Sequence, residues 1–210
     1  MQKSTNRQNL LYLTQIALLS AIELILAYTP LGYLKVGPLS LSFLSIPVAI
    51  GACVIGPSAG AILGGIFGIT SYFNAITGAS VMTAAMFQIN PFTCAITCIL
   101  TRILMGALTG WIFRMIQKID KTDFVRYLIA SVCAPLLNTV LFMGALVLFF
   151  YNSDYVQGRV SKLGASSPFM FIILLVGIQG VVEIAACGVV STAVSKAVDI
   201  FRKKSSSRKK

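Results

Sequence analysis

The residues of this chain that could do chemistry are charged and amide side chains placed within long apolar runs. Arg102 lies about three turns into one run, while Gln179 and Glu183 lie one turn apart in another. Asn138 lies near the middle of a third run, shortly after Pro135. Polar groups at membrane depth are costly and usually face a cavity or a partner. These side chains therefore predict a polar binding pocket inside an apolar helical bundle.

Arg102 has two interpretations. It shares a helix face with small residues at four-residue spacing, namely Cys94, Cys98, Gly106 and Gly110. This face predicts that the guanidinium points at protein or at a cavity rather than at lipid. The group could bind a ligand anion, or it could form a buried ion pair with Glu183 or Glu23. Asn138 and Gln179 could line the same pocket, or they could only join helices by hydrogen bonds.

Residues 31–43 connect the first two apolar runs and are predicted to lie outside the membrane. Gly37 and Pro38 indicate a turn, and the alternation that follows favours a short hairpin or an extended lid over a helix. A lid would bring Tyr33 and Lys35 over the outer mouth of the bundle, where they could contact a ligand. An amphipathic interfacial loop would produce the same pattern.

A second connection, residues 74–90, is too polar to span a membrane. It ends with Gln88 and Asn90, immediately before Pro91. Both side chains could contribute to ligand binding. Asn90 is better explained as the N-cap of the next helix, because Asn favours that position and proline favours the first helical turn.

The composition is that of an integral membrane protein. Hydrophobic residues make up 57% of the 210 residues and charged residues 11%, and the mean hydropathy is +0.86. The formal charge of +11 comes from basic residues at the ends of apolar runs, which argues against nucleic-acid binding.

Five cysteines and no histidine predict neither a disulfide framework nor a zinc site. Without a phosphate-binding loop or a close carboxylate pair, we expect no enzyme and no cofactor.

The apolar runs predict an all-α membrane protein with six transmembrane helices. The runs cover residues 10–28, 44–55, 59–73, 92–116, 127–151 and 169–200. Most Lys and Arg residues fall on one side, which places both termini in the cytoplasm. Residues 1–204 would form one membrane domain, and residues 205–210 a disordered basic tail attracted to anionic lipid.

Four glycines recur at four-residue spacing along the third run. They are Gly56, Gly60, Gly64 and Gly68. In water such a series would cost about 1 kcal/mol per glycine relative to alanine. In lipid it allows close approach of another helix. The series therefore predicts a tight helix–helix contact, entered through a turn at Gly56 and Pro57.

Several of these segments together resemble the substrate-binding S component of energy-coupling factor (ECF) transporters. The likeness rests on ALLSA with Ala17 and Ala21, a lid-like first loop, IPVAIGACVIGPSAGAILGGIFG, Arg102 in TRILMGALTG and Asn138 in APLLNTVLF. The resemblance implies a six-helix protein of the bacterial cell membrane that binds a vitamin at its outer face. It also implies partners: a transmembrane coupling subunit and two cytoplasmic ATPases.

The resemblance further implies particular roles for residues. Ala17 and Ala21 would form the docking face for the coupling subunit, and the loaded bundle would topple in the membrane to release its ligand. The patterns NTVLFMGAL and TR-x-x-x-G look most like the pantothenate branch of the family. The carboxylate of pantothenate would bind Arg102 or Lys35. Folate, riboflavin or a thiamine precursor are alternative ligands. A structural subunit of a membrane complex is the alternative from another functional class.

Overall fold

A computed structural model of the chain describes residues 2–29, 32–36, 39–120 and 124–207. Side chains are described within these ranges except at residues 2–8, 33–36, 39–41, 178–179, 202–203 and 205–207. The described chain is helical apart from one two-stranded hairpin. This confirms the all-α fold class.

The order of the elements along the chain is as follows. They are α1 (Gln2–Tyr28), β1 (Tyr33–Val36), β2 (Leu39–Ser42), α2 (Ser45–Val54), α3 (Pro57–Ile76), α4 (Val81–Ile89), α5 (Pro91–Ala95), a π-helical turn (Ile96–Leu100), α6 (Thr101–Gln117), α7 (Val125–Phe150), α8 (Asp154–Leu163) and α9 (Pro168–Ser207). All six predicted apolar runs are helical. The helices α5 and α6 continue through the π-helical turn as one span.

Five helices in the described chain are long and apolar enough to cross a membrane. A sixth span results if α8 and the first part of α9, which meet at a bend of 73°, are counted together. The second predicted run differs from the others, because α2 has only 10 residues. Its length of about 15 Å is half of a hydrocarbon core. The chain is a multi-pass membrane protein in which α2 is a short buried helix.

The glycine series on α3 forms the predicted tight contact, and its partner is α6. A Cβ atom placed on Gly60 would collide with the backbone carbonyl of Gly106, and one placed on Gly64 with the backbone carbonyl of Arg102. At Gly68 it would lie 2.6 Å from the Cα atom of Ile99. The two backbones therefore touch along about two helical turns, and Arg102 lies within this contact.

The turn at the start of α3 also forms as predicted. Gly56 has a φ of 133°, which side chains rarely tolerate, and Pro57 occupies the first helical turn. Near the same end, the Tyr12 hydroxyl donates a hydrogen bond to the Ser58 hydroxyl at 3.2 Å and joins α1 to α3.

The predicted hairpin is present. Strands β1 and β2 pair antiparallel, with Tyr33 opposite Ser42 and Val36 opposite Leu39. The predicted turn at Gly37 and Pro38 lies outside the described residues. The base of the hairpin is closed by a hydrogen bond from the Phe43 amide to the Gly32 carbonyl at 3.0 Å.

The last helix is longer than predicted. It contains 40 residues, about 60 Å, which is roughly twice the thickness of the hydrocarbon core. The helix continues to Ser207, so the first three residues of the tail predicted to be disordered are helical. Residues 208–210 lie outside the described chain. In a similar way, helix α7 does not end at Pro135, which lies inside it.

Candidate functional site

Arg102 is buried immediately after the π-helical turn, and only 6% of its surface is exposed. Its Nη1 atom donates to the backbone carbonyls of Thr97, at 3.4 Å, and Cys98, at 3.0 Å. A π-helical turn shifts the backbone hydrogen-bond register, and such turns often occur at functional sites. The turn supplies acceptors that hold one side of the guanidinium, as predicted for a group that faces protein rather than lipid.

Two aromatic rings flank the guanidinium group. Its central carbon lies 4.8 Å from the ring centre of Phe67 on α3 and 4.5 Å from that of Phe142 on α7. Rings at this distance attract a cation through their negative faces. Phe67 and Phe142 therefore orient Arg102 without neutralising its charge.

The ion pairs considered for Arg102 do not form among the described residues. Neither Glu183 nor Glu23 approaches its guanidinium to within the 4.0 Å of a salt bridge. Glu183 is buried and close enough to interact with Arg102 electrostatically. The Nε atom of Arg102 is buried without a hydrogen-bond partner in the described chain. The charge is thus held by carbonyls and rings, with one donor unused.

Other buried polar atoms near this region also lack partners within the described residues. They are Thr97 Oγ1, Asn138 Oδ1, Glu183 Oε1 and Ser42 Oγ. Asn138 lies one helical turn before Phe142, on the same face of α7. Buried polar atoms are nearly always hydrogen-bonded in folded proteins. Unpartnered buried donors and acceptors of this kind are therefore suited to a polar ligand.

The hairpin approaches this region through Ser42. The backbone N–H of Ser42 interacts with the carboxyl group of Glu183 on α9. Close by, the Ser45 hydroxyl lies 3.0 Å from the Cys187 thiol, one turn further along α9. The end of β2 and the start of α2 are thus attached to the helix face that carries Glu183.

The remaining predicted ligand residues fall into two groups. Asn90 caps α5, because its side-chain oxygen accepts a hydrogen bond from the Thr93 amide at 3.1 Å. This confirms its interpretation as an N-cap. Gln88 is exposed and is the penultimate residue of α4. The side chains of Tyr33, Lys35 and Gln179 lie outside the described residues, so their roles stay predictions.

Glu23 occupies a different environment from Glu183. Its side chain is fully buried, and both carboxyl oxygens lack hydrogen-bond partners in the described chain. It lies on the face of α1 that also carries the buried residues Ile16 and Ala27. No ion pair joins Glu23 to Arg102 among the described residues.

Ala17 and Ala21 are exposed on the outer surface of α1. The span Asn9–Tyr28 is the least buried of the five spanning helices. The large neighbours Leu13 and Leu18 are 61% and 62% exposed. A pair of small residues among exposed leucines leaves a shallow depression where another helix can approach closely.

Sequence reasoning missed the aromatic and backbone parts of the site. Phe67 and Phe142 look like ordinary core residues in the sequence, and no residue pattern indicates the π-helical turn. The only available signal was the placement of Phe142 one turn after Asn138. Thr97, which lies five residues before Arg102, is identified only by the carbonyl contact that the turn makes possible.

Comparison with known proteins covers most of the chain. A family model described as "ECF transporter, substrate-specific component" matches residues 11–195. The match includes every element from α1 to the greater part of α9. No curated protein matches the chain.

Proposed function

The chain belongs to the substrate-specific components of ECF transporters, and we propose that it captures a small anionic vitamin, with pantothenate as the first candidate. Capture takes place at the outer face of a bacterial cell membrane. The energising partners are a transmembrane coupling subunit and two cytoplasmic ATPases. In this role the chain binds and delivers the vitamin, and the ATPases supply the energy.

The observation that carries this proposal is the state of Arg102. The guanidinium is buried and lies between Phe67 and Phe142, and no carboxylate pairs with it in the described chain. A buried charge without a counter-ion is costly. A ligand carboxylate would offset this cost by a charge-assisted hydrogen bond to the unused Nε atom.

The neighbouring polar atoms favour a ligand that also carries hydroxyl and amide groups. Asn138 Oδ1 and Glu183 Oε1 are buried acceptors without partners among the described residues. Pantothenate contains a carboxylate, an amide and hydroxyl groups, so it could satisfy Arg102 and both acceptors. Binding sites for small molecules commonly combine an apolar lining with a few such polar groups.

The test is a comparison of pantothenate with pantothenol, the alcohol that lacks the carboxylate. Titration calorimetry on the purified chain should show that pantothenate binds and that pantothenol binds far more weakly. Arg102→Gln should reduce the affinity for pantothenate by about 2–5 kcal/mol, at least tens-fold. Lys118→Gln is the matched control, because it removes an exposed positive charge at the end of the same helix.

Three outcomes would contradict the proposal in different ways. Equal binding of the acid and the alcohol would show that Arg102 does not hold the carboxylate. Binding of folate, riboflavin or a thiamine precursor in place of pantothenate would change the vitamin and keep the function. Protein that carries no small molecule by mass spectrometry after denaturation, and that no vitamin stabilises, would indicate a structural subunit.

A further inference from the structure

A cavity lies at the opposite end of the bundle from the hairpin. Its volume is about 400 Å³, and it is formed where the turn after α2, the end of α6, the start of α7 and the late part of α9 meet. Its polar lining consists of Arg114, Gln117, Arg126, Tyr127 and Asp199, with Gly56 at one wall. Arg114 follows Arg102 by about 18 Å along the helix. The cavity is therefore separate from the proposed vitamin site.

We propose that this cavity binds a phosphate group. Among the described lining residues there are two guanidinium groups and one carboxylate, Asp199, and guanidinium is the side-chain group best matched to phosphate oxygens. The Gln117 amide adds a neutral donor. Neither Arg114 nor Gln117 makes a hydrogen bond or an ion pair with another described residue.

The two arginines are held in different ways. Arg126 is buried, with its guanidinium 5.7 Å and 5.1 Å from the ring centres of Phe113 and Tyr127. Its Nη2 atom lies 3.8 Å from Asp199 Oδ2, a distance too long for a hydrogen bond. Arg126 is thus a fixed part of the wall.

Arg114 is exposed and covers Gly56. A Cβ atom at Gly56 would lie 2.8 Å from its Nη2 atom, so the absence of a side chain at this turn leaves room for the guanidinium. Gly56 also precedes α3, a helix of 20 residues whose first turn has no side-chain cap. The positive end of that helix dipole adds to the attraction for an anion. Arg114 can therefore close over a phosphate that has entered the cavity.

The cavity lies at the depth where lipid phosphates occur. Trp111, one turn before Arg114, is 64% exposed, and Met115 is 67% exposed on the same side of α6. Tryptophan is enriched at the level of the headgroups. On α9, the Lys196 ammonium lies 4.5 Å from the ring centre of Phe124, the residue before α7. Both the phosphate of an anionic lipid and a free phosphate ion could reach this position.

The experiment measures thermal unfolding of the full chain in detergent at constant ionic strength. Phosphatidylglycerol, phosphatidylcholine with the same acyl chains, inorganic phosphate and chloride are the four additions. We expect stabilisation by phosphatidylglycerol or by inorganic phosphate. Stabilisation by phosphatidylglycerol indicates a lipid headgroup as the ligand, and stabilisation by inorganic phosphate indicates a free ion. Native mass spectrometry then gives the number of retained lipids.

Arg114→Gln should weaken the stabilising interaction about tenfold, the effect of one lost charge-assisted hydrogen bond. Lys118→Gln is the matched control, because it removes an exposed positive charge one turn away and outside the cavity. Gln117→Ala provides a second, uncharged test of the lining. If Arg114→Gln does not fold, Gln117→Ala and the response of the wild-type protein to the four additions test whether the cavity binds phosphate.

Three results would overturn the proposal. The first is wild-type protein that responds equally to all four additions. The second is an equal loss in Arg114→Gln and Lys118→Gln, which would indicate general attraction to the membrane surface. The third is a loss of the energising subunits from Arg114→Gln with no response to phosphate or phosphatidylglycerol, which would indicate a protein contact.

Discussion

The guanidinium carbon of Arg102 lies 4.5 Å from the ring centre of Phe142. This contact joins α6 to α7. Arg102 Nε and, one turn from Phe142, Asn138 Oδ1 are both buried without hydrogen-bond partners among the described residues. Within the described chain, the ring holds the cation in place and no carboxylate pairs with it. A site built in this way keeps the positive charge available for a ligand.

Replacing Phe142 by leucine should weaken binding of the ligand anion. Leucine preserves most of the apolar burial but removes the aromatic face, whose attraction for a desolvated cation is about 0.5–2 kcal/mol. We therefore expect pantothenate to bind about two- to thirtyfold more weakly by calorimetry. Phe149→Leu is the control, because Phe149 is exposed on the same helix. Equal affinities in the two variants would show that the ring does not orient Arg102.

Some parts of this fold follow from local sequence rules. The glycine series predicted a close helix contact, and the alternation after Pro38 predicted a hairpin, because each feature repeats at the period of its structure. Asn90 was identifiable as a cap because capping depends on residues three positions apart. None of these predictions required knowledge of how distant segments pack.

The composition of the site could not be predicted to the same degree. Phe67 and Phe142 belong to α3 and α7, and only packing shows that both rings face Arg102. The cavity at the other end is similar, since four segments of the chain build it. The sequence did identify Arg102 as buried. It left open whether Glu183 or a ligand neutralises the charge, because that depends on distances between helices.

Gly64→Ala should destabilise the protein, whereas Gly65→Ala should not. A Cβ atom at Gly64 would collide with the backbone carbonyl of Arg102, while at Gly65 its nearest neighbour is a side-chain carbon of Ile103 at 3.6 Å, an ordinary contact. Overpacking of this kind typically costs about 1–3 kcal/mol. Thermal unfolding in detergent measures the effect on stability. Indistinguishable unfolding temperatures would mean that α3 and α6 separate easily.

Ala17→Trp and Ala21→Trp should abolish assembly with the energising module and leave vitamin binding unchanged. Both residues are exposed on α1, so a bulky side chain blocks close helix approach without entering the bundle. Co-purification and cellular uptake report assembly and transport, and calorimetry reports binding. Leu18→Trp, at a neighbouring exposed position, is the control. If both alanine variants transport normally, the docking face lies elsewhere.

The hairpin is predicted to be a lid, and Gly32 is the described residue on which its attachment depends. A Cβ atom at Gly32 would collide with the backbone carbonyl of Leu26, at the end of α1. The Gly32 carbonyl also accepts the hydrogen bond that closes the hairpin base. Gly32→Ala should therefore displace the hairpin from α1 while the helical bundle stays folded.

Displacement of this lid should accelerate release of the vitamin. Related variants usually differ more in dissociation rate than in association rate, so Gly32→Ala should release pantothenate at least several-fold faster, with similar association. Tyr33→Ala and Lys35→Ala should act in the same direction if these side chains cover the ligand. Gly144→Ala is the control, because no atom lies within 4 Å of a Cβ placed there. Unchanged dissociation in all three lid variants, with equal proteolysis of the hairpin in the presence and absence of pantothenate, would show that the helices alone close the site.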